Sequence, residues 1–128
     1  MLTLLSRYEP QLYAVLRCAA GFLFLWHGSQ KLFDVPPAAH PFAPHVLWIA
    51  GPIEFFGGLL ILLGLRTREA AFLASGEMAY AYWTVHAPQN MLPLLNMGEL
   101  AVVYCFLFLY MVARGSGSYS LDALLKRR

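Results

Sequence analysis

The chain has 128 residues, of which 59% are hydrophobic and only 12% charged, about half the charged share of an ordinary soluble domain. A net charge of +2 with no basic stripe excludes nucleic acid as a partner. The length suits one domain, 1–128, and its apolar residues fall in long blocks.

The first block covers about residues 11–33. It is longer than a signal-peptide core and lacks the basic leader and small-residue cleavage site, so no cleavage is expected. Pro36, Pro37, Pro41 and Pro44 break the chain after it. The second block, 47–65, contains Pro52, which either kinks that helix or marks its first turn. Gly64 and Arg66-Thr67-Arg68 make a tight turn, with Thr67 available to cap the third block, 69–87. Pro88 and Pro93 bracket the connection to the fourth, 95–113. After Gly115 the composition predicts a flexible Gly/Ser stretch, then a short amphipathic helix over 120–127, capped by Ser120 and resting on anionic lipid.

Each block approaches the ~20 residues that cross ~30 Å of hydrocarbon, and unpaired backbone in lipid forces helix. The expected fold class is therefore all-α, a four-transmembrane-helix up-and-down bundle. Arg7, Arg66, Arg68, Arg114, Lys126, Arg127 and Arg128 all lie at the termini or in the second connection, whereas only Lys31 is basic on the opposite side. The positive-inside rule then puts both termini in the cytoplasm.

Ionisable groups inside such spans are expensive and point to function or to internal pairing. Here they are Arg17, His27, Lys31, Glu54, Glu77, His86 and Glu99. At ~1.5 Å per residue, His27, Lys31, Glu54, His86 and Glu99 share a depth within about 10 Å of the outer face. His27 and Lys31, four apart, occupy one face of the first helix and can reach Glu54 and Glu99. Glu77 lies nearer the midplane and Arg17 deeper still. Structural alternatives stand beside each reading. Asn96-Met-Gly-Glu99 has capping-box spacing, with Asn96 as cap; Glu54 is a first-turn acid if Pro52 starts its helix; Lys31, His86 and Arg17 can snorkel. Cys18 and Cys105 are small buried filler or a thiol pair near the inner leaflet. Ala71, Ser75, Ala79, Gly57 and Gly58 suit close helix packing.

Taken together, Arg17 with Gly21-Phe22, Gly28-Ser-Gln-Lys31-Leu32, Gly51-Pro-Ile-Glu54, Gly57-Gly58, Gly64-Leu-Arg-Thr-Arg-Glu-Ala-Ala, Asn96-Met-Gly-Glu99 and Gly115-Ser-Gly-Ser-Tyr-Ser-Leu-Asp122 resemble the DoxX family of small bacterial membrane proteins. The resemblance spans about residues 12–125. It implies a four-helix protein of the cytoplasmic (inner) membrane associated with oxidoreductase systems, and it places Arg17, Lys31, Glu54, Asn96 and Glu99 among the family's polar positions. The expected ligand-binding or proton-handling residues are His27, Lys31, Glu54, Glu77, Asn96 and Glu99, with Arg17 and His86 behind them. Phe24, Trp26, Phe55, Phe56, Tyr82 and Trp83 would supply ring contacts for a quinone head.

No haem-type histidine pair, nucleotide-binding glycine fingerprint, Fe–S cysteine set or metal site is legible in the sequence, so this chain alone is not expected to transfer electrons. The expected surroundings are a lipid bilayer, a soluble oxidoreductase, a quinone-type carrier bound without a covalent link, and other copies of the chain. The competing expectations are a redox-associated subunit and a non-enzymatic anchor or assembly partner, with a small transporter behind both.

Overall fold

The computed structural model describes residues 2–127, and every described element is helical. A short helix α1 (Leu2–Leu5) and a 3₁₀ turn (Ser6–Tyr8) lead into α2 (Glu9–Phe33), which begins with Pro10 in its first turn, where the missing N–H costs nothing. Asp34 closes α2 in the left-handed region, its N–H returning to Gln30 O at 3.1 Å.

The second block begins with a wide turn over Val46–Ala50 with i→i+5 bonding and passes without a break into α3 (Gly51–Leu63). Pro52 accounts for this wide turn. Its ring crowds the carbonyl four residues back and it offers no N–H, so the backbone takes up an extra residue before α-helical bonding resumes. Pro52 thus falls in the first α-turn while the helix continues on both sides of it. Gly64, at φ 70°, ends α3.

Helix α4 (Thr67–Ala81) runs on into a second wide turn, Tyr82–His86. Its N-cap position is Arg66, left-handed at φ 49°, and no side chain caps it. Thr67 is the first helical residue, fully buried, so the expectation that it caps the helix is not met.

The fourth block is split. Helix α5 (Pro93–Asn96) stops at Met97, which is left-handed, and α6 (Glu99–Arg114) starts afresh after Gly98. Finally α7 (Leu121–Lys126) is capped as expected, Ala123 N–H donating to Ser120 Oγ at 3.2 Å. The last residue, Arg128, lies outside the described residues.

Helices α2 and α3 form the tightest pair, α4 packs on α6, and α3 joins the two pairs through α4. Aromatic contacts close the ring between α2 and α6: Phe24 meets Phe108 at 4.8 Å and Tyr104 at 5.5 Å, and Tyr13 meets Tyr110 at 6.0 Å. The α2–α3 seam depends on glycine. A Cβ on Gly21 would lie 2.7 Å from Gly58 O, and one on Gly58 would lie 2.8 Å from Gly21 O, so the backbones touch where a side chain would hold them apart.

By length and composition, one continuous helix among the described residues, Val46–Leu63 with mean hydropathy 2.0, could cross a bilayer unaided. Helix α6 has only 16 residues, about 24 Å at 1.5 Å per residue. Ionisable and small residues dilute the apolar character of α2 and α4.

Candidate functional site

Helix α2 presents Lys31 and helix α3 presents Glu54 toward each other near the same end of the bundle. Lys31 Nζ lies 2.6 Å from Glu54 Oε2, and both side chains are almost entirely enclosed. The approach is set by backbone: Gly28 leaves no room for a Cβ against the Phe55 backbone, and Gly51 lies against Lys31 and Leu32. The Lys31 ammonium also stands 5.2 Å from the Phe42 ring centroid, so an aromatic face shares the cation. Next to Glu54, the rings of Phe33, Phe55 and Phe56 pack edge to face. The pair expected from the sequence is present.

The other candidates do not gather around it. Glu77 is half-buried on α4, within electrostatic range of Glu54 and Lys31, and its buried Oε2 has no hydrogen-bond partner. His27 is exposed on another side of α2, its ring edge-on to Tyr104 at 6.5 Å, and no hydrogen bond to Lys31 is formed. Although i and i+4 share a stripe, Lys31 turns toward α3 while His27 turns toward α6. Glu99 is exposed at the first position of α6, with Gly98 as N-cap, so neither the outer cluster nor the capping-box register places it as expected.

Asn96 belongs to a separate assembly of its own. Almost wholly buried, it donates through Nδ2 to Asn90 O at 2.7 Å and to Tyr82 Oη at 3.3 Å, and its Oδ1 accepts from Gly98 N–H at 2.8 Å. Its carbonyl meets His86 Nδ1 at 3.0 Å, and the His86 ring stacks on Tyr82. His86 is therefore engaged rather than snorkelling. With each polar atom satisfied, this network fixes the α5–α6 break.

Arg17 lies at the opposite end. Only 2% exposed, its guanidinium donates to Ile61 O at 2.9 Å, to Ser116 O at 2.6 Å and to Tyr119 O at 3.1 Å. It thus supplies donors to the free carbonyls at the end of α3 and ties the Gly/Ser segment to them. Tyr13 Oη donates to Gly115 O at 2.5 Å, Ser116 Oγ to Asp122 Oδ2 at 2.6 Å, and Arg66 N–H to the same carboxylate oxygen at 2.9 Å. The segment expected to be flexible is therefore held at several points. The contacts that hold it, Arg17 to Ser116 O and Tyr119 O, join residues far apart in the sequence and are visible only in three dimensions.

Cys18 and Cys105 are free thiols on different seams: Cys18 Sγ faces Leu62 O at 3.5 Å, while Cys105 Sγ faces Ser75 Oγ at 3.7 Å. They do not form a pair.

These features define a class: a small all-α bundle with an apolar core, a few buried charged and amide groups, and many large apolar side chains on its exterior. The family model for DoxX matches residues 12–87. An uncharacterized protein of Haemophilus influenzae is 40% identical over 125 residues, covering 92% of this chain and 93% of its own length. The chain belongs to the DoxX family. No solved structure matches it.

Proposed function

We propose that the protein is the small membrane component of an oxidoreductase system in the bacterial cytoplasmic membrane. It crosses the bilayer four times with both termini inside, and the Lys31–Glu54 pair receives the head of a quinone-type carrier. The observation that carries the membrane reading is an apolar exterior around a few buried polar groups. Arg17, Glu54 and Asn96 are 2%, 3% and 1% exposed, while Leu23, Trp48, Phe72, Trp83 and Phe106 all face outward, an exterior suited to lipid rather than to water. The helical runs over 9–33, 46–63 and 67–86, with the broken run of 93–96 and 99–114, support the four passes.

For the carrier, Lys31 offers a donor, Glu54 a proton acceptor, and Phe33, Phe55 and Phe56 the apolar ring contacts. A quinone head combines these needs. Glu77, with a buried unpaired oxygen on the neighbouring helix, extends the protonatable set inward.

The second reading, a non-enzymatic anchor or assembly partner for a soluble oxidoreductase, draws on the exposure of His27 and Glu99. One experiment divides the two. Purified in mild detergent, the protein should show saturable quenching of Trp fluorescence by ubiquinone-1, with exposed Trp48 about one and a half turns from Glu54. Glu54→Gln keeps the shape and should weaken that binding about tenfold or more, the loss of one charge-assisted contact. Equal quenching of the two folded proteins, or none in either, would replace the carrier site with the anchor reading.

A further inference from the structure

The tail folds over a second polar region, at the end of the bundle opposite Lys31. A cavity of about 510 Å³ opens there, lined by Arg68, Arg114 and Lys126 together with Ser116, Gly117 and Asp122. Its only acid is already committed, since one oxygen of Asp122 accepts from both Ser116 Oγ and the Arg66 N–H. Among the described residues, neither Arg68 nor Lys126 is in an ion pair. Arg68 spends its guanidinium on the α6 carbonyls, with Val112 O and Ala113 O both at 2.6 Å, and so keeps its full charge at the cavity wall. Arg114 is paired through Nη2 with Glu9 at 2.9 Å, but its buried Nε has no acceptor. The cavity is thus a cationic one.

Across the Glu9–Arg114 pair the character reverses. An open groove of about 360 Å³, to which Glu9 and Ser6 contribute, is otherwise lined by Leu5, Leu12, Tyr13, Leu16 and Tyr110. On α7, Leu121, Leu124 and Leu125 are exposed. Cationic cavity and apolar groove share one ion pair, as the head and the tail of an amphiphile would require.

We infer that this end of the protein binds the phosphodiester of an anionic phospholipid, the head taken by Arg68, Arg114 and Lys126 and an acyl chain laid along the groove between α2 and Tyr110. A free phosphate shares the head chemistry but leaves the groove unused. Basic cavities at the cytoplasmic ends of membrane helices suit such heads. The inference rests on the membrane orientation proposed above and is independent of the carrier site.

The test is native mass spectrometry of the full chain in detergent, titrated with dioleoyl phosphatidylglycerol or dioleoyl phosphatidylcholine. Phosphatidylglycerol should bind about tenfold more tightly, and Lys126→Ala should weaken it about fivefold with no change for phosphatidylcholine. Because Arg68 also caps α6, Arg68→Gln is read only alongside its melting temperature, and Lys126→Ala decides if it unfolds. Equal affinity for the two lipids, or no effect of Lys126→Ala, overturns the inference. Displacement of phosphatidylglycerol by millimolar inorganic phosphate assigns the cavity to free phosphate and also overturns it. Topology fusions read the orientation separately, so a failure there is distinguishable from a failure of lipid binding.

Discussion

Glu54 enters the bundle early in α3 and meets Lys31 in a setting that water scarcely reaches. Desolvating both groups is expensive, and their attraction recovers that cost only while both are present. Lys31→Met is therefore expected to destabilise the protein by about 3 to 5 kcal/mol, because it strands the Glu54 charge. The double variant Lys31→Met/Glu54→Met should recover most of that loss. Unfolding in mixed micelles by denaturing detergent checks both numbers, and equal losses in the single and double variants would show that the pair is uncoupled. The sequence made this pair legible through shared depth alone. It could not show that His27 turns away, because the i, i+4 rule fixes a common stripe but not which neighbouring helix each side chain meets.

At the scale of helices, the α2–α3 seam is the contact with least freedom. A Cβ on Gly58 would lie 2.6 Å from Leu25 N and 2.8 Å from Gly21 O, both backbone atoms that cannot rotate aside. Gly58→Ala should cost about 1 to 3 kcal/mol or more by forcing the helices apart. Gly76, on α4, has nothing within 4 Å of its would-be Cβ. Gly76→Ala should leave packing intact and gain up to about 1 kcal/mol from helix propensity. Melting temperatures of the two variants in one detergent provide the comparison; similar shifts would mean that the seam is looser than it looks.

Helix positions are readable where an apolar run and a breaker coincide, as at Gly64 and at the prolines that follow the first block. They were misread where the run hides the break. Leu94, Leu95 and Met97 look like the start of one long helix, yet Asn96 captures the Gly98 N–H and ends α5 there. Gly115 and Gly117 likewise suggest mobility, but the groups that hold this stretch, Tyr13 and Arg17, lie about a hundred positions earlier.

For the whole molecule, the proposed orientation puts Arg66, Arg68, Lys126 and Arg127, all exposed, on one side of the membrane. Trypsin added to inverted membrane vesicles should cleave at these residues, and trypsin added to spheroplasts should leave them intact. The reverse pattern, read by mass spectrometry of the fragments, would invert the topology. Lys31, enclosed against Glu54, should resist from either side.

The tie between Arg17 and the stretch around Ser116 has a bearing on how the protein is made. During synthesis Arg17 leaves the ribosome about a hundred residues before Ser116 and Tyr119, the carbonyls that complete its coordination. Until they arrive, a guanidinium and the open end of α3 lack part of their shell, and closing so long a loop is the slowest class of contact to form. The bundle is therefore fully satisfied only when its final segment has been translated. A ribosome product ending before Gly115 would carry that deficit permanently and would stand apart from the finished chain as a substrate for membrane proteolysis.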